Sequence, residues 1–181
     1  MRCVVDTETT GLPSAQWARV VELAAVIVDD VGYEVAAFQS LIYPDILDER
    51  CDRALAYCGI TREDLSIAAA ADVVREDFRL WCAEMQVDAI WAYNRSFDEG
   101  MLLRSGFELP WAGCVMREAR ARMPRRPKDP PLIEAARHFL GEEPARSHRA
   151  LDDARTAARV LAAMMRVDHA AQLSSPAYPR R

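Results

Sequence analysis

No stretch of this sequence approaches the roughly 20 apolar residues that a membrane span requires. The chain opens without the basic-then-apolar pattern of a secretion signal. The five cysteines (Cys3, Cys51, Cys58, Cys82 and Cys114) form no CxxC pair and no close cluster with histidine. An odd number at irregular spacing reads as reduced, packed thiols in a reducing compartment and argues against a zinc site. Internal repeats and linkers are also missing. These absences leave one cytoplasmic domain, expected over residues 1–168, with 169–181 as a flexible tail. A chain of 181 residues, 51% of them hydrophobic, is long enough to bury one good core.

Lysine is scarce, Lys128 standing alone among arginines, and the charge is unevenly spread. Residues 1–90 carry 7 basic and 17 acidic side chains, whereas residues 91–181 carry 16 and 11. A chain with a net charge of −5 is not a general polyanion binder, so any nucleic-acid contact must be local. The run Arg117, Arg120, Arg122, Arg125, Arg126, Lys128 is the candidate phosphate track. A solvated surface loop explains the same residues.

Hydrophobic patterning predicts strands at 2–6, 20–28 and 33–43, the last two joined by the turn chemistry of Asp29-Asp30-Val31-Gly32. Short strands are expected at 89–93 and 114–116. Helical spacing predicts helices near 48–58, 72–86, 98–105, 132–140 and 150–166. The proline-rich stretch 123–131 reads as an exposed loop. Strands first, then strands alternating with helices, indicate an α/β fold with a mixed sheet flanked by helices.

Asp6 and Glu8 end the first strand two residues apart, so their side chains share a face. Like charges side by side are tolerated where a cation sits between them, and carboxylates without Cys or His suit Mg²⁺ or Mn²⁺. An acidic strand end running into a Thr/Gly turn accounts for them equally well. Asp98 follows a strand and opens a helix, a place for a capping carboxylate or for a ligand group beyond the strand end. Asp153 is more telling. It lies on the apolar stripe of its helix with Ala150, Ala154, Ala157, Leu161 and Met164, where a charge needs a partner. Asp152 falls on the polar side and needs none. His148, just before that helix, is free to cap, pack or act as a base.

Together the segments Asp6-Thr7-Glu8-Thr9-Thr10-Gly11, Asn94-Arg95-Ser96-Phe97-Asp98 and His148-Arg149-Ala150-Leu151-Asp152-Asp153 resemble the DEDDh branch of the DnaQ-like 3′–5′ exonucleases. The third has the family's H-x-A-x-x-D spacing. Cys58-Gly59-Ile60-Thr61 resembles its common xGIT segment, with Cys58 where His is frequent. The resemblance spans roughly residues 2–166.

It implies a ribonuclease H-like fold with a five-stranded mixed sheet. It also implies two Mg²⁺ (or Mn²⁺) ions held by Asp6, Glu8, Asp98 and Asp153, with His148 as general base. The activity implied is release of nucleoside monophosphates from the free 3′ end of single-stranded DNA or short RNA. Thr9, Thr10 and Leu12 would hold the terminal nucleotide, Leu12 as a wedge; Asn94 and, from the basic run, Arg125 and Arg126 are further candidate substrate-binding residues. Phe97 is expected to pack and position Asp98. Trp17 and Trp91 are candidates for base stacking, with core packing the commoner fate. Several free-standing relatives form homodimers, which leaves that state open here. Two rivals remain: a proofreading subunit docked to a polymerase, and a non-catalytic nucleic-acid-binding relative. The short stretch after the last helix disfavours the first, and the presence of all five polar residues disfavours the second.

Overall fold

A computed structural model describes residues 1–124, 128–144 and 148–174, with the side chains of 168–174 excepted. Its centre is β1 (Arg2–Thr9), flanked on one side by the antiparallel β2 (Val20–Val28) and β3 (Glu34–Tyr43). On the other side β5 (Ile90–Ala92) and β6 (Trp111–Cys114) add in parallel. The two-residue β4 (Ala69–Ala70) pairs with the end of β3, giving the order β4-β3-β2-β1-β5-β6. The mixed sheet is therefore six-stranded rather than five, because this short bridge joins its edge. Helices α1 (Asp52–Cys58), α2 (Arg62–Ser66), α3 (Ala71–Glu84), α4 (Arg95–Arg104), α5 (Val115–Arg122), α6 (Leu132–Leu140) and α7 (Ala150–Ser174) cover it.

Alternation along β1 separates two apolar layers. Val5 packs with Leu23, Phe78, Met101 and Leu102, the last three brought by α3 and α4. Val4 packs with Val26, Ala154, Ala157 and Leu161, the last three from α7. The period of two carries this split onward to the end of the strand. Asp6 and Glu8 continue the face of Val4 toward α7, and Thr7 continues the face of Val5 toward α4. All nine residues of β2 are buried, and the alanines of α7 let its backbone approach closely.

Several boundaries differ from the sequence expectation. The strand expected at 114–116 is β6, ending at Cys114, and α5 begins with the next residue. Val115 and Ala119, four apart, bury one side of α5, and Arg122 pairs with Glu118 one turn back. Helix α2 is short but carries a capping box: the Thr61 hydroxyl accepts from the Asp64 N–H, and the Asp64 carboxylate accepts from the Thr61 N–H. Gly59 terminates α1 at φ 66°, a conformation that favours glycine. Helix α7 continues to Ser174, past residue 166, and 175–181 lie outside the described residues. Among the described residues no helix is long and apolar enough to cross a membrane.

Candidate active site

The strand-and-helix geometry brings Asp6, Glu8 and Asp153 together, each offering a carboxylate oxygen within 4.8 Å of the others. The helical-face reading of α7 holds: Ala150, Ala154, Ala157, Leu161 and Met164 are buried, Asp153 is half-buried and Asp152 is exposed. Asp98 lies outside that trio but close enough to Asp6 to perturb it. It does not cap α4. The helix begins three residues earlier, after Asn94, and the buried Asp98 carboxylate instead accepts a 2.8 Å hydrogen bond from the Thr7 hydroxyl.

Burial raises the proton affinity of every member, and neighbouring carboxylates add to it at Asp6 and Glu8. Asp6 stands well above the usual carboxylate range, through burial first and then repulsion from Asp98, Asp153 and Glu8. Burial, with Asp153 and Glu22 beside it, pushes Glu8 up to about 8, against the pull of Arg149. Burial pushes Asp98 up to about 7 despite the bond from Thr7. Burial also raises Asp153, with His148 drawing it the other way. Four buried or half-buried carboxylates, with repulsion added at Asp6 and Glu8, form a set that a hard divalent cation would relieve.

His148 adopts φ 48°, an uncommon left-handed conformation for a residue with a side chain. Its imidazole lies 4.1 Å, centroid to centroid, from the ring of Tyr57 on α1. Tyr57 also lines a cavity of about 550 Å³ that includes Glu8, Thr9, Thr10, Leu12, Arg53 and Phe97. A shift in strand register between Glu8 and Thr9 turns the chain out of the sheet and into this wall.

The remaining expected substrate residues divide. Leu12 is exposed at the cavity mouth, and Phe97 both packs against the core and lines the cavity. The Thr9 hydroxyl donates to the Gly11 carbonyl, and the buried Thr10 hydroxyl accepts from the Arg19 N–H, so both hold the turn. Asn94 accepts from the Ser96 hydroxyl at the start of α4 and does not line the cavity. Trp17 lines it, with Arg50 over its ring, and packs so closely on Gly11 that a Cβ there would meet the indole at 2.9 Å. Trp91 packs against the core beside Gly113.

Of the basic run, Arg120 pairs with Asp129 and Arg122 with Glu118. Arg125 and Arg126 lie outside the described residues.

Sequence reasoning passed over Glu22, Arg149 and Tyr57. A carboxylate inside the apolar run of β2 was the available signal for Glu22, by the same logic that singled out Asp153. Arg149 and Tyr57 carried no comparable mark, since an Arg beside a helix start and a Tyr in a helix are both ordinary.

Comparison with known proteins agrees with this geometry. The RNase_T model, described as an exonuclease, matches residues 3–161. The chain is 31% identical over 163 residues to the DNA polymerase III PolC-type of Thermotoga petrophila. That match covers 87% of this chain but only 11% of the polymerase, so the chain spans about a tenth of that relative's length. Exonuclease X in complex with 5′ overhanging duplex DNA superposes with a TM-score of 0.70 at 26% identity, covering 93% of each chain. The nuclease domain of 3′hExo, a DEDDh family member bound to rAMP, shares the fold at a TM-score of 0.72 and 20% identity, covering 91% of each. The chain belongs to the RNase_T exonuclease family.

Proposed function

We propose that this exonuclease removes nucleoside monophosphates from the 3′ end of single-stranded DNA or short RNA, using two divalent cations and His148 as general base. The observation that carries this reading is the convergence of Asp6, Glu8 and Asp153 from β1 and α7 beside a cavity sized for a small ligand. Asp6, Glu8 and Asp153, with Asp98 joining through Asp6, would hold Mg²⁺ or Mn²⁺. When bound, the ions would acidify a water and offset charge on the leaving 3′-oxygen.

The chain's own residues supply the rest. Thr7 fixes the Asp98 carboxylate from the opposite face of β1. The turn held by Thr9 and Thr10 presents Leu12 at the cavity mouth, where it can wedge against the terminal base. With Leu12 narrowing its mouth, the cavity would admit a chain end in preference to a continuing strand. His148, close enough to Asp153 to bias its charge, accepts the proton of the attacking water. Arg125 and Arg126 serve as the phosphate track. Structural neighbours seen with DNA and with the ribonucleotide rAMP leave both sugar types compatible with such a site.

The test offers 3′- and 5′-labelled DNA and RNA oligonucleotides with Mg²⁺, Mn²⁺ or chelator. Metal-dependent release of labelled mononucleotide from the 3′ end, with stepwise shortening of the 5′-labelled strand, is expected. Internal cuts, release from the 5′ end, or hydrolysis that survives chelation would refute the reading.

The match to a PolC-type polymerase favours a second reading, a proofreading role beside a polymerase. A marked preference for a mismatched over a matched primer terminus would support it.

A further inference from the structure

Glu22 is fully buried near the start of β2, directly across the ladder from Glu8. A carboxylate in that position is costly unless its oxygens are satisfied and its charge is paired. Both conditions are met. One oxygen accepts from Arg149 Nη2 at 2.6 Å and from Gln39 Nε2 at 2.7 Å. The other accepts from Arg149 Nε and from the Ala150 N–H, each at 3.1 Å. Although burial pushes the Glu22 carboxyl up, these bonds hold it below its usual range, the opposite of its neighbours Asp6 and Glu8.

What this carboxylate grips is the start of α7. Ala150 is the first residue of that helix, and its N–H is one of the donors a helix leaves unpaired. Arg149 adjoins His148, whose left-handed backbone persists only where its surroundings over-determine it. Three residues beyond Ala150 stands Asp153. Anchoring Arg149 and Ala150 to the rigid sheet therefore sets the positions of His148 on one side and Asp153 on the other.

We propose that Glu22 and Arg149 are a positioning pair: the buried carboxylate clamps the start of α7 and so registers His148 and Asp153 against Asp6 and Glu8. Arg149 at the same time offsets part of the charge that Glu22 adds beside Glu8. This rests on the exonuclease reading of the site. The pair touches no reacting atom. Its role is geometric, so Arg149→Lys, which keeps the charge but loses the two-pronged fit, should fail to substitute.

Three readouts test it on Glu22→Gln, Arg149→Lys and the double variant: turnover of a 3′-labelled oligonucleotide, Mn²⁺ affinity by calorimetry, and amide exchange. Each single variant should lower kcat tenfold or more with KM within threefold, and should weaken Mn²⁺ binding at least threefold. Exchange at residues 149–153 should quicken while α3 is unchanged, and the double variant should be no worse than the weaker single. Loss of kcat only in proportion to loss of folded protein would overturn the proposal. Multiplying effects in the double variant, or exchange quickened equally in α3, would do the same. Should Glu22→Gln fail to fold, Arg149→Lys alone carries the test, since its side chain is partly exposed. If the wild-type protein hydrolyses no oligonucleotide, the exonuclease reading fails. Exchange at 149–153 then still decides the clamp, and no change there refutes it.

Discussion

Neutralising one carboxylate of the cluster should stabilise the metal-free protein while destroying its activity. The perturbation is Asp153→Asn, which keeps the side chain's shape and removes its charge. Asp6, Glu8 and Asp153 present oxygens within 4.8 Å of one another. At an effective dielectric of about 20, two unit charges at that distance repel by roughly 3.5 kcal/mol. Asp6, whose carboxyl stands well above the usual range, relieves part of this by holding a proton, whereas Glu8, at about 8, is largely ionised at pH 8.5, so only part of the repulsion is expressed. A net gain of about 2 kcal/mol is the expected remainder, or about 4–8 °C in Tm for a chain of this size. The assay is thermal unfolding at pH 8.5 with chelator and again with Mn²⁺, beside turnover of a 3′-labelled oligonucleotide. Wild-type protein should gain about 2.7 kcal/mol from Mn²⁺ at one hundred times its Kd. The variant should gain little of this and should hydrolyse almost nothing. A metal-free variant that melts below wild type, or that gains as much from Mn²⁺, would refute the repulsion argument.

Burial of these carboxylates fixes a pH dependence. Glu8 at about 8 and Asp98 at about 7 lie above their unfolded values, so the folded chain keeps protons that the unfolded chain has released. The metal-free protein should therefore lose roughly 1.4 kcal/mol per pH unit for each such group between about pH 4.5 and its folded pKa, then level off. Chemical denaturation at several pH values with chelator checks the slope, and a rise in stability from pH 5 to 8 would contradict it. Thr7→Val removes the donor to buried Asp98 and should cost about 1–3 kcal/mol. It should also lower metal-dependent turnover about tenfold, and unchanged melting and turnover would deny Thr7 that task. Asp152→Asn should leave both within a factor of two, because Asp152 points to solvent. Charge reversal at Arg125 and Arg126 should raise KM and flatten its salt dependence, and no change in either would dismiss the phosphate track.

Much of the fold was legible because β1, β2 and α7 are long and strongly patterned. The alternation of β1 placed Asp6 and Glu8 on one face, and the alanine stripe of α7 pointed Asp153 inward while leaving Asp152 outside. Short elements were not legible. Helix α5 looked like the end of a strand because Cys114-Val115-Met116 reads as β, and its arginines drew attention as a charge run rather than a helical face. Asp98 had a plausible local use as a cap, whereas its actual partner, Thr7, is 91 residues away. Glu22 escaped because its meaning lies in a pairing with Arg149 across 127 residues, which no local pattern encodes.

The most direct measurement of the central claim is anomalous diffraction from a crystal soaked in Mn²⁺ and a nucleoside 5′-monophosphate. The account predicts manganese held between Asp6, Glu8 and Asp153, with a second peak on the Asp98 side of Asp6 and the nucleotide's base against Leu12. A cluster that stays free of manganese, or manganese bound only elsewhere on the protein, would contradict it.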